Sequence, residues 1–444
     1  MKDPIAFVHE MSWDDLSEAA RKQVELNILD LIGVGAGGMT TRLSGIVRTH
    51  AHVEFGGNIP MLFDGRTASA SGMALAAGMT IDALDGHDGF NPAKGHIGAP
   101  LFPAVLAVGH EAKTSGRAFL EAIAMGYEFG ARVSVAQHAT VPDYHTSGSW
   151  GAVTAAAASA RLLGLDRDLT RHAVGIAEYH GPRSQMMRCI DHPTMLKDGA
   201  GWGAMSGVSA VKLACSGFTG APAITVEQAT EHWDDLGDRW YVLEQYYKPY
   251  PVCRWAQAPM EAAMTLQATH SFEASDIEAI EIETFHESVR LAMPHPTNTE
   301  EAQYSTSFPV AVALVRGDLT PQDISDEATE DAEIQSLSSK VTMREHDVAN
   351  AAFPVQRLAR VCIQTRDGKK YQSDWQEPKW DHTAPPTEAE LRAKFHALAD
   401  PVLGPVAAKE IEDTLANLAV LPLSSLSDQL LRPIKASTTI GSAA

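Results

Sequence analysis

Apolar residues recur at helical spacing from about residue 12 to residue 270. Ala19, Val24, Leu26, Ile28, Leu29 and Ile32 lie at near-helical intervals behind a Ser12-x-x-Asp15 step. Asp supplies there the acceptor that a capping box usually takes from Glu. The glycines at 33, 35, 37 and 38 are read as the end of that helix. The same spacing predicts helices over residues 67–84, 99–112, 116–136, 150–163, 169–178, 201–215 and 258–269. These segments are rich in Ala and Gly, which lets helix axes approach closely, as in a bundle with a buried central layer.

The period changes near residue 275. Ile277, Ile280, Ile282 and Phe285 interleave with Glu278, Glu281 and Glu283, approaching the alternation of a strand with one wet face. Residues 360–365 read as a second strand that turns at Asp367-Gly368 and returns through residues 369–375 as a hairpin. Residues 300–315 and 323–338 look helical. After Pro385-Pro386 the helical pattern resumes, with Thr387 as N-cap, a helix over 388–399 and a last one over 407–420. The fold class expected is mainly α: a large all-helical domain of residues 1–270 and 386–444, with a smaller α+β domain of residues 271–385 inserted. Residues 436–444, small and polar, are expected to be loose. No fixed period of a repeat solenoid is present.

Composition narrows the function. The 444 residues are 45% hydrophobic and 20% charged, an ordinary globular balance. Lys plus Arg number 35 against 56 Asp plus Glu, a net charge of −21. So acidic a surface repels phosphate backbones, which argues against nucleic acid as a partner. Cys189, Cys215, Cys253 and Cys362 form no Cys-x-x-Cys pair, so zinc and iron–sulfur sites are not expected and the thiols read as reduced. The N-terminus lacks the apolar stretch of a secretory signal. Apolar segments such as residues 152–165 fall well short of the roughly 20 residues that cross a bilayer. A cytoplasmic protein without a membrane anchor is expected.

The densest polar cluster is Asp82-Ala83-Leu84-Asp85-Gly86-His87-Asp88-Gly89-Phe90-Asn91-Pro92-Ala93-Lys94-Gly95-His96. Asp82 and Asp85, three apart, would share a face of a continuing helix. The plain alternative is a solvated loop whose aspartates cap helix ends. His145 stands in a Ser/Thr/Gly-rich loop at the start of a helix, where an imidazole can face an anion or simply bond locally. Lys197, alone in a small and apolar stretch, is either a snorkelling surface residue or a preorganised cation. Lys248-Pro249-Tyr250-Pro251-Val252-Cys253-Arg254-Trp255 is a stiff basic loop in which Trp255 can pack the Arg254 guanidinium. Such a loop in an acidic protein suits a small polyanion. Taking a proton from beside a carboxylate requires fixed cations, a base at the carbon and an acid for the leaving hydroxyl. His96, His145, Lys197, Lys248 and Arg254 can fill those roles without a metal.

These segments, together with Leu29-Asp30-Leu31-Ile32-Gly33, Ala74-Leu75-Ala76-Ala77-Gly78, Gly126-Tyr127-Glu128 with Arg132, and Ala302-Gln303-Tyr304-Ser305, resemble the MmgE/PrpD family over nearly the whole chain. That family contains 2-methylcitrate dehydratase, cis-aconitate decarboxylase and iminodisuccinate epimerase. The resemblance implies a large helical domain with a smaller α+β insertion, a homodimer, no cofactor and a small polycarboxylate substrate. It also implies a lyase or isomerase working by α-proton transfer, first a hydro-lyase, with decarboxylase or epimerase as alternatives. By matching motifs it makes His96 and His145 the proton-transfer pair, with Asp85 orienting or sharing a proton and Lys197 gripping a carboxylate. Asp88, Lys248, Arg254 and Tyr304 complete the substrate-binding set, and no metal is called for. The chain departs from the family pattern at several positions. Asp82 replaces a His, Gly86 an aromatic and His87 an Asp, while Gln257 stands for a His and Phe308 for a Tyr. Two other readings remain open. One is a metal-dependent phosphohydrolase of the helical His-Asp type, built on His87-Asp88 with His110, His172 and His180. The other is a catalytically silent helical binding protein.

Overall fold

Helices that are apolar all round must be enclosed, and the fold arranges them so. The computed structural model describes residues 2–434; the tail expected to be loose lies outside them. The principal helices of the larger core are α1 (Glu18–Gly38), α2 (Ala70–Asp82), α3 (Gly98–Ala112), α4 (Gly116–Thr140), α5 (Ser147–Leu162), α6 (Arg167–His180) and α7 (Ala200–Cys215). Every residue from Gly72 to Asp82, Gly98 to Gly109 and Ser147 to Ala160 is buried, so α2, α3 and α5 form the central layer.

A second core gathers round α8 (Arg254–His270) and α9 (Ser307–Arg316), with strands β1 (Ile277–Thr284), β2 (Val341–Glu345), β3 (Arg360–Thr365) and β4 (Lys370–Gln372). The sheet order is β2-β1-β3-β4, parallel between β1 and β2 and antiparallel elsewhere. Cys362 pairs with Gln372 and Gln364 with Lys370 across the expected hairpin. Helix α8, which its pattern grouped with the helical part, turns Ala256, Met260 and Ala263 into this second core. The chain then returns: α10 (Glu388–Leu403) sends Phe395 and Ala399, and α11 (Pro405–Ala416) sends Ala408 and Ile411, into the larger core. Thr387 caps α10 in a capping box with Glu390. The protein is thus mainly α with a smaller α+β part. Among the described residues no helix is long and apolar enough to cross a membrane.

Several expectations are corrected. The Ser12–Asp15 capping box exists but closes a short 3-10 turn, and α1 starts after Ser17. The glycines at 33–38 do not end α1. They line its contact side, where a Cβ on Gly38 would lie 2.0 Å from the Thr80 carbonyl oxygen. The helix expected over 300–315 breaks after Gln303 and restarts at Ser307, and the one over 323–338 survives only as Ala332–Ser338 after 3-10 turns. Strand β2 escaped notice because it is an edge strand with only Val341 buried, which leaves no alternation to read.

Two close contacts position the loop that follows α2. A Cβ on Gly201 would lie 2.4 Å from the Leu75 carbonyl oxygen and 2.7 Å from the Met79 nitrogen, so α2 and α7 touch backbone to backbone. Behind the loop, Lys394 of α10 donates to Asp30 at 2.5 Å and to the Gly86 carbonyl at 2.7 Å. Asp88 accepts from the Tyr127 hydroxyl at 2.8 Å. Burial, then the charge of Asp30, pushes Asp88 up to about 7.

A methyl group has no room at the α2–α7 contact. Gly201→Ala should cost about 1–3 kcal/mol and lower Tm in a thermal melt; an unchanged Tm would mean the helices are not held this closely. Asp88 gives a pH signature. A carboxyl with a raised folded pKa holds its proton more tightly folded than unfolded. Its stabilisation is therefore complete below its unfolded value of about 3.9 and is lost as pH rises through about 7. Asp88→Asn, uncharged throughout, should lose less Tm than the parent between about pH 4 and about pH 7. Parallel curves would clear Asp88 of that role.

Candidate active site

The loop after α2 reverses direction where Asp85 adopts φ 47°, which ends the helix at Asp82. The expected shared helical face of Asp82 and Asp85 therefore does not form. Asp82 accepts instead from the Ala200 amide at 3.1 Å, while Asp85 meets Lys248 at 2.5 Å. Burial pulls the Lys248 pKa down, but Asp85 beside it holds it above the ordinary value. Removing one member of such a buried pair costs about 3–5 kcal/mol.

Between the two cores lies a cavity of about 30 Å³, lined by Asp85, Lys94, His96, Tyr144, Asp198, Tyr246, Lys248, Arg254, Trp255, Tyr304 and Arg357 together with Met186, Ile190 and Cys253. That is room for a couple of water molecules. His96 is fastened at its backbone by Ser147 Oγ at 2.9 Å and at Nδ1 by the Asp88 carbonyl at 2.6 Å. A carbonyl can only accept, so Nδ1 carries the proton and Nε2 offers the lone pair. Nε2 lies 3.5 Å from Asp198 Oδ2 and 3.7 Å from Asp85 Oδ1. Burial, then the charges of Lys248 and His87, lowers His96 well below the ordinary imidazole value, so the ring is neutral. Asp198 accepts from Ser147 Oγ at 2.7 Å through Oδ2, and its Oδ1 has no partner. Burial, then Asp82 and Asp85, raises Asp198 to about 7.

His87 stands edge-on to His96 with ring centres 4.3 Å apart, and its Nε2 lies 3.4 Å from Asp82. Burial pulls its pKa down, but the Asp82 hydrogen bond and the Asp82 and Asp85 charges outweigh that and raise it. Two adjacent imidazoles are therefore shifted in opposite directions.

Of the residues singled out in the sequence, Asp85, His96, Lys248, Arg254 and Tyr304 line one cavity, and three do not. His145 pairs through its backbone with Gln185, and its Nδ1 meets the Asp143 carbonyl at 2.8 Å. Tyr144 lines the cavity, whereas His145 is not among the residues that do. Lys197 is buried; it donates to Gln303 Oε1 and stands 5.1 Å from the centre of the Tyr304 ring, so it reaches the cavity only through Tyr304. Asp88 lies behind the wall and contributes its carbonyl to His96 and its carboxyl to Tyr127.

Arg254 lines the cavity but is largely occupied, by the Tyr247 and Lys379 carbonyls and by Asp381 at 2.8 Å. Its guanidinium stacks 3.9 Å over Tyr246 and not on Trp255, which packs with Phe285 and Phe353. Gln257 ties the basic loop through the Tyr250 and Val252 carbonyls, and Phe308 sits in the second core, so neither departure alters the cavity wall. Asp198, Lys94, Tyr144, Tyr246 and Arg357 were not foreseen as site residues. Asp198 adjoins Lys197, a usable signal, whereas nothing local marks Arg357.

Asp85, His87 and His96 each bring one ligand-type atom to within 4.8 Å of the others. Lys248 already supplies the positive charge at that carboxylate, and each imidazole bonds outside the trio, His87 to Asp82 and His96 to the Asp88 carbonyl. The further ligands that a His-Asp phosphohydrolase needs are elsewhere: His110 bonds Ser427, His172 the backbone at Gly220, and His180 lies against Tyr179.

Residues 5–231 match the MmgE/PrpD N-terminal domain and residues 250–419 the C-terminal domain. Cis-aconitate decarboxylase of Aspergillus terreus is 26% identical over 409 residues, covering 81% of this chain and 82% of that protein. 2-Methylcitrate dehydratase of Salmonella typhimurium is 28% identical over 245 residues, 49% of this chain and 50% of that one. With both domains matched in order along most of its length, the chain belongs to the MmgE/PrpD family.

Proposed function

We propose that this protein is a hydro-lyase that removes water from a small di- or tricarboxylate by α-proton transfer, in the manner named for its 2-methylcitrate dehydratase relatives. The observation that carries this reading is the juxtaposition, at 3.5 Å, of a neutral His96 and a carboxyl of raised pKa, Asp198. His96 Nε2 takes the proton beside a substrate carboxylate, and protonated Asp198 gives one to the departing hydroxyl, which leaves as water. Donor and acceptor share one wall, so both groups leave from the same face. The resulting imidazolium returns its proton to the Asp198 carboxylate, and the site is reset. Lys248 and the guanidinium groups of Arg254 and Arg357 stabilise the negative charge that grows on the substrate. The Tyr304 hydroxyl, its pKa raised by burial, remains a neutral donor. Every role falls to a side chain, so the reading requires neither metal nor cofactor. A substrate of several carbons exceeds the cavity, so the two walls separate to admit it.

Decarboxylation is the second reading, favoured by the match to a cis-aconitate decarboxylase over four fifths of the chain. Loss of carbon dioxide would leave a carbanion for Asp198 to protonate, and His96 would have no base to supply. Dehydration uses both groups in the states that burial gives them. Cytoplasmic residence and a homodimer belong to the same proposal. The four free cysteines support the first, and the exposed Tyr179, Leu196, Trp202, Leu213 and Phe218 on and around α6 and α7 support the second.

His96→Gln and Asp198→Asn should each lower kcat on the dehydrated acid by about 100-fold or more, with circular dichroism melts close to the parent's. Turnover requires Asp198 protonated and His96 neutral, so kcat should fall as pH rises through about 7. Unaltered turnover in both variants sinks the assignment, and turnover lost to EDTA sinks its metal-free form. Binding without turnover across methylcitrate, citrate, aconitate and iminodisuccinate would favour the silent binding protein. Light scattering should report twice the 47.7 kDa chain mass; a monomer would end the dimer proposal.

A further inference from the structure

We infer that Lys94 anchors a second, distal carboxylate of the substrate, and so selects acids carrying at least two carboxylates. The inference rests on the polycarboxylate reading above and adds where the second charge binds. The other basic side chains at the cavity are engaged. Lys248 is held by Asp85, and Arg254 by two carbonyls and Asp381. Arg357 donates to Asn91 Oδ1 at 2.6 Å and the Pro354 carbonyl at 2.7 Å. Lys94 lines the same cavity, yet among the described residues its ammonium has no hydrogen-bond or ion-pair partner. It lies 4.6 Å from the centre of the Tyr144 ring.

The backbone holds it there at some cost. Lys94 sits at φ 52°, a conformation that costs a residue with a Cβ about 1 kcal/mol. Its N–H donates to the Asn91 carbonyl at 3.0 Å, and its own carbonyl accepts from the Tyr144 hydroxyl. Burial lowers its pKa; Glu287 nearby opposes the shift, and the Arg357 charge adds to it. Two cations thus line the same space, Lys94 from the loop that carries His96 and Arg357 from the segment before β3, bonded to that loop at Asn91. Arg357 Nε is buried without a partner. A carboxylate between them would relieve their repulsion and give the Lys94 ammonium the partner it lacks. Its distance from His96 would set which carbon faces the base.

Calorimetry with tricarballylate, a tricarboxylate that has no hydroxyl to lose, tests this directly on the full chain. The parent should bind it, Lys94→Met should bind about 10- to 100-fold more weakly, and Lys94→Arg should recover most of the affinity. Lys94→Gln serves as a second neutral variant should Lys94→Met fail to fold. Affinity for the monocarboxylate butyrate should be the same in all of them. No binding of tricarballylate by the parent, or equal affinity in parent and neutral variant, overturns the inference. Lys94-dependent binding without turnover of any acid would support it while removing the hydro-lyase reading. Turnover with a KM for dicarboxylates indifferent to Lys94 would remove this inference alone.

Discussion

Lys248 and Asp85 meet at 2.5 Å with almost no access to water. Opposite charges in such a place persist only where each answers the other and further donors and acceptors complete the shell. Lys248 completes its own by donating also to the Asp85 carbonyl at 2.6 Å. The pair joins the loop after α2 to a segment more than 160 residues later. That single constraint brings the start of the second core against the helical layer and defines the space between them.

The proton chemistry follows from the same shortage of water. In the same buried space burial lowers the pKa of His96, the Asp82 hydrogen bond and charge raise that of His87, and a carboxyl keeps its proton to about neutral pH. The last is far from what an isolated aspartate would do. The departures from the family pattern make sense in this setting. An acid, Asp82, stands where the family has an imidazole, and an imidazole, His87, where it has an acid, so a pair of the same composition remains, at 3.4 Å. Lys394, paired with Asp30 from the opposite end of the chain, holds the Gly86 carbonyl from behind. The loop is thereby fixed on both sides, which is what a base with defined orientation requires.

Much of the fold was legible because its signals are local. The Thr387 capping box, the Asp367-Gly368 hairpin and the long Ala-rich helices depend on residues a few positions apart. The loop of residues 82–96 could be marked as chemically dense for the same reason, and five of the eight residues singled out do line one cavity. What failed depends on distant partners. The glycines of α1 are contact residues because Thr80 and its neighbours lie against them. Helix 300–315 breaks where Tyr304 meets the cavity.

By itself, then, the sequence determined the helical class, the change of period near residue 275, the family and the chemical character of the loop after α2. Only the tertiary structure decided which side chains are available for chemistry. Lys197 has its ammonium taken by Gln303, 106 residues away, and His145 Nδ1 meets the Asp143 carbonyl. Asp198 and Lys94 gain their standing from what surrounds them and from what does not. The physical reason is that propensity and periodicity act over a turn of chain, whereas burial, pairing and protonation are set by groups that meet only once the chain has folded.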